Sequence, residues 1–224
     1  MTETILTVRG SHSARYPAER ATLRVSVNRD GSKREPVFAS ATVVAEQVRS
    51  ELSALHDTDA GPVVSWSSGS VRVWGDRPWN SDGKQLAMVY HAVINFTAEF
   101  SDFDALSRFV ETAATTDGVT VGALEWALTK ERQLAADAEM RSRAVADAVA
   151  KATAYAHAVG LSGVTAIAIA DPGMLGDQAS TAGGGYELAS ARGFMKMDAG
   201  TAELSLSPED IEVSAAVDAR FVAR

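Results

Sequence analysis

The sequence predicts an α+β fold: antiparallel sheet with three helices packed on it. Long stretches alternate apolar and polar residues with a period of two, the mark of strands with one buried face. Three other segments carry a helical period. The segment Pro78-Trp79-Asn80-Ser81-Asp82-Gly83-Lys84 has the Asp-Gly chemistry of a turn between antiparallel strands. Strands of a parallel sheet covered on both faces would instead read as continuous apolar runs.

Taken in order, Thr4–Gly10 opens as a strand, and Ala21, Leu23, Val25 and Val27 alternate with Thr22, Arg24, Ser26 and Asn28 in the next. A helix follows from about Glu35 to Leu55, with Ser32 placed to cap it and Pro36 in its first turn. Val63–Ser67 and Ser70–Gly75 read as short strands. The longest alternation then puts Leu86, Met88, Tyr90, Ala92, Ile94, Phe96, Ala98 and Phe100 on one face. A second helix starts after Ser101-Asp102, with Phe103, Leu106, Phe109 and Val110 as its stripe. Val119–Thr129 is a strand, and the third helix runs from about Arg132 to Val159. Its Ala136, Met140, Ala144, Ala148, Ala152 and Ala156 recur every fourth residue up to a C-capping Gly160. Such a ridge of methyls packs closely on a sheet or on a neighbouring subunit. Val164–Ala170 and the alternating Ile211–Phe221 close the order β-β-α-β-β-α-β-α-β-(long loop)-β. Residues 171–207 have no sustained period and read as an arm or loop. The whole is one domain of 1–224 or two interleaved α+β subdomains.

A chain of 224 residues, 46% hydrophobic and 22% charged, has the balance of a soluble globular protein with a real core. It has no cysteine, so disulfides, thiol nucleophiles and cysteine metal sites are excluded. A net charge of −8 opposes nonspecific nucleic-acid binding. Met1–Val8 lacks the basic and apolar regions of a signal peptide, and no stretch reaches a bilayer span, so the expected location is the cytoplasm.

Segments in the right order along nearly the whole chain resemble the SIMPL-domain family. They are Ile5–Gly10, Ala21–Val27, Tyr90–Phe96 with its opening tyrosine, the alanine-spaced helix ending Gly160-Leu161, and Ser207–Val217 with its proline turn. The resemblance implies an α+β fold, ring-like or channel-like homo-oligomers in some members, and links to oxidative-stress tolerance. It implies no catalytic residue.

The residues themselves offer little chemistry. His12, His56, His91 and His157 stand in no metal-ligand spacing. His12 sits between Ser11 and Ser13 without a nucleophile elbow. Gly183-Gly184-Gly185 has no strand before it and no Gly-Lys-Ser/Thr after it, so it is not a phosphate loop. No enzyme, cofactor or metal is expected. The one local concentration is aromatic: Trp66, Trp74 and Trp79 with Arg72 and Arg77. Turned outward, these could stack on a small ligand or partner; turned inward, they fill the space under a helix. The sequence thus predicts a non-enzymatic protein whose partner is a second copy of itself, with a small-ligand module at the tryptophans as the alternative.

Overall fold

A computed structural model describes residues 3–57, 59–79, 85–175 and 206–224. The chain divides into two compact units. Unit one comprises Met1–Tyr16, Lys130–Ala202 and Glu212–Arg224; unit two comprises Pro17–Thr129 and Glu203–Ile211. The described elements are β1 (Thr4–Tyr16), β2 (Arg20–Gly31), α1 (Arg34–Leu55), β3 (Val63–Ser68), β4 (Arg72–Asp76), β5 (Val89–Phe100), α2 (Phe103–Thr115), β6 (Val119–Ala127), α3 (Lys130–Ala158), β7 (Val164–Ala170) and β8 (Ile211–Ala223). The α+β class is the one the sequence predicts, and each predicted segment forms its strand or helix in turn; three strands, β3, β4 and β5, stand between α1 and α2, where the condensed order counts two.

Unit two is built on a five-stranded sheet in the order β3-β5-β2-β6, with β4 also paired to β5. All its pairings are antiparallel. The period-two pattern fixes which face is covered: Ala21, Leu23, Val25 and Val27 of β2 and Ala92 through Phe100, by alternation, of β5 are buried. Against them lie Val37, Ala41, Val44, Val48 and Leu52 of α1 and Leu106, Phe109 and Val110 of α2, each set at helical spacing. Asp102 caps α2, its Oδ1 accepting from the N–H groups of Asp104 and Ala105 at 2.9 and 3.0 Å. Ser32 does not cap α1. Lys33 occupies that position, with no side-chain cap bond.

The alternation around β5 overreaches. Leu86 and Met88 continue its parity, yet the strand begins at Val89 and Leu86 is exposed. Its ladder with β4 ends at the pair Asp76–Val89, so among the described residues no strand pairs with those that precede Val89. The Asp-Gly turn at 82–83 and nearly all of the arm at 171–207 lie outside the described residues.

Unit one is a three-stranded sheet, β1-β8-β7, on which α3 packs. Helix α3 ends in a Schellman arrangement. Gly160 adopts φ 81°, its N–H donates to His157 O, and the Leu161 N–H reaches back to Ala156 O. The six residues at four-residue spacing, Ala136 through Ala156, are all buried. The ridge faces its own sheet: Ala144, Ala148 and Ala152 join Val8, Val217, Ala219 and Phe221 in one cluster. It is therefore not available to a neighbouring subunit, the second use the sequence left open. The approach is closest at Gly10 of β1. A Cβ there would overlap the carbonyl oxygen of Ala144 and lie 2.6 Å from the Ala148 nitrogen.

Candidate functional site

Register decides what becomes of the predicted aromatic patch. Trp66 lies opposite Ala98, a core residue, and packs against the unit-two core. Trp74 lies opposite His91, on the face of the sheet away from the helices. The two indoles share sequence parity but point to opposite faces, because β3 and β4 are separate strands with independent registers on β5. The structure instead joins Trp74 to three other groups. The His91 ring stacks on it at 5.3 Å and 26°, and the Arg72 guanidinium lies 5.2 Å from its centroid. His91 Nε2 lies 3.2 Å from Asp76 Oδ1. Arg77 donates to Leu86 O at 3.2 Å, and Trp79 stands 87% exposed. The assembled set is Arg72, Trp74, Asp76 and His91, with Trp66 removed from it. Asp76 is not among the residues the sequence singles out, and His91 stands there only as a histidine in no metal-ligand spacing.

The same open face carries Ser26, Asn28 and Thr120, where Asn28 Nδ2 donates to both hydroxyls at 3.0 and 3.1 Å. This is a solvated polar surface with a single aromatic centre. Of the other histidines, His56 uses Nδ1 on the Val63 carbonyl at 3.0 Å, and His157 is exposed in the last turn of α3. Among the described residues, no three His, Asp or Glu side chains are grouped to hold a metal, and no helix is long and apolar enough to cross a membrane. An open concavity of about 340 Å³ lies where β2 meets α1, beside Arg29, Lys33 and Ser40. A second, of about 280 Å³, lies between α1 and α2, at Leu55, Arg108 and Phe109.

Two of the charge networks in unit one fasten its elements together. Asp218 of β8 accepts a two-pronged contact from Arg9 of β1 at 2.7 and 3.1 Å, and its Oδ2 also accepts the Gly173 N–H at 2.6 Å. Asp147 of α3 accepts from Lys151 and from the backbone N–H of Ser11 on β1. The Arg9 bonds hold the Asp218 carboxyl below the ordinary value of 3.8, with Gly173 adding to the shift. Lys151, then Ser11, do the same for Asp147. A depressed folded-state value stabilises the fold fully above the unfolded value and is lost as pH falls through the folded one. Acid unfolding should therefore steepen below about pH 4. In Asp218→Asn, circular dichroism against pH should show a lower plateau at neutral pH and a shallower acid limb. An unchanged acid limb would remove Asp218 from this role.

Unit one also exposes large apolar side chains. Leu134, Val149 and Tyr155 of α3 are exposed, as is Val159 just past its end, and Ile167 and Ile169 of β7 are each 52% exposed.

A helix-backed three-stranded sheet and a five-stranded sheet under two helices define an α+β protein. The chain matches the SIMPL family, proteins of unknown function (DUF541), over residues 6–221, and belongs to it. No curated protein matches the chain.

Proposed function

We propose that this SIMPL protein works without catalysis, by assembling with copies of itself. The observation that carries this is the run of half-exposed apolar side chains from the end of α3 through β7 of unit one: Tyr155, Val159, Ile167 and Ile169 within fifteen residues of sequence. Exposed apolar groups gathered in this way mark interaction surfaces, whereas scattered ones do not. Light scattering across micromolar concentrations should give a mass of at least twice the 23.6 kDa chain. A single-chain mass at every concentration would overturn the proposal.

A second reading, binding of a small planar or sugar-like ligand at Trp74, is favoured by the exposed Arg72–Trp74–His91 stack. A fluorescence titration with a metabolite and glycan panel should then show a saturable change that disappears in Trp74→Ala. A flat response across the panel would remove it.

A further inference from the structure

We propose that strand β7 is the seam of that assembly, pairing antiparallel with β7 of a second copy across a two-fold axis; this rests on the assembly reading above. In the order β1-β8-β7 both outer strands are edges, and among the described residues nothing pairs with the far side of β7. An edge strand offers a row of unpaired N–H and C=O groups, and proteins that must stay monomeric guard it with charge, proline, a bulge or coverage; of these β7 has only the irregularity between Ala166 and Ala168 among the described residues. The other edge strand, β1, carries the exposed Arg15, while its Arg9 is engaged by Asp218 of β8. Strand β7 is Val-Thr-Ala-Ile-Ala-Ile-Ala, seven β-compatible residues with no charge and no proline.

The occupant follows from the same residues. A two-fold contact requires the strand to meet itself, so any charge near its centre would face a like charge. Whatever the register, β7 against β7 brings together only valine, threonine, alanine and isoleucine. A chain of net charge −8 approaches its own copy at least electrostatic cost along such a neutral strip. The irregularity between Ala166 and Ala168 leaves Ile167 as the extra residue opposite β8, and its side chain, like that of Ile169, is half exposed. Pairing would cover both isoleucines and satisfy the edge, a strand-addition contact.

Two experiments test it. In Ile167→Lys and Ile169→Lys the folded chain should persist by circular dichroism, because both side chains are already half exposed. The dissociation constant of the assembly should rise roughly 100-fold or more, since each subunit brings an unpaired charge to the seam. Independently, the chain has no cysteine, so single substitutions Thr165→Cys, Ile167→Cys and Ile169→Cys report on proximity without background. Under mild oxidation at least one should give a covalent dimer on a denaturing gel, while Arg15→Cys on β1 should not. An assembled wild-type protein whose lysine variants keep the same mass, and whose β7 cysteines do not cross-link, overturns the seam and leaves assembly standing. A wild-type protein that is a single chain throughout overturns both.

Discussion

Gly10→Ala should destabilise unit one by about 3 kcal/mol, the upper end of what overpacking usually costs. The added methyl meets the carbonyl oxygen of Ala144, the nitrogen of Ala148 at 2.6 Å and its Cβ at 2.8 Å. Two of these three are helix backbone and have no rotamer to move to. The backbone torsion is not the cause, because Gly10 is not among the glycines of positive φ. For that reason alanine would gain about 0.4–1 kcal/mol by restricting the unfolded chain, and the steric term must exceed this to show. Gly163→Ala is the control, as nothing lies within 4 Å of its would-be Cβ, and it should be neutral or slightly stabilising. Guanidinium titration followed by far-ultraviolet circular dichroism, to which the 29-residue α3 contributes strongly, checks both. Equal midpoints for Gly10→Ala and wild type would mean that α3 does not sit on β1 as described.

The ridge and the glycine were legible to different degrees. The four-residue repeat of Ala136 through Ala156 announces close packing, and Gly160 announces its end. What the helix packs against is not in the repeat. It depends on β1 reaching Tyr16, six residues beyond the Gly10 at which the sequence reading stopped, and on β8 returning beside it. Those are contacts between distant parts of the chain, which no local period encodes.

The Trp74 cluster shows the same division at finer scale. Trp74 and His91 each lie eight residues from the nearer member of the Asp82-Gly83 pair. Counting outward from that pair sets them opposite one another, and this is the register the structure has, although the described ladder itself ends at Asp76 and Val89. That signal was present in the sequence and would have joined His91 to Trp74. The position of Trp66 had no such signal. Its face depends on β3 pairing with the far half of β5, at Ala98, after a break at residues 69–71 that parity counting cannot carry across.

The strongest single test of unit two is Phe100→Ala. Phe100 is fully buried, pairs with Ala21 of β2 on one side and Val63 of β3 on the other, and has its ring 5.7 Å from that of Phe109 in α2. Deleting it empties a space walled by three strands and a helix, which cannot all close in together. The expected loss is about 3–5 kcal/mol, and with it a fall in melting temperature on the order of 10 °C or more. All four tryptophans lie between Trp66 and Trp126 in unit two, so their fluorescence follows this transition directly. Leu86→Ala is the informative comparison. Leu86 belongs to the same sequence alternation as Phe100, but it precedes the strand and is exposed, so its loss should stay within about 0.5 kcal/mol. If the two variants lost comparable stability, the strand would extend back through Leu86 as its periodicity suggests. The end of the β4 ladder at Asp76 would then not be what sets the boundary.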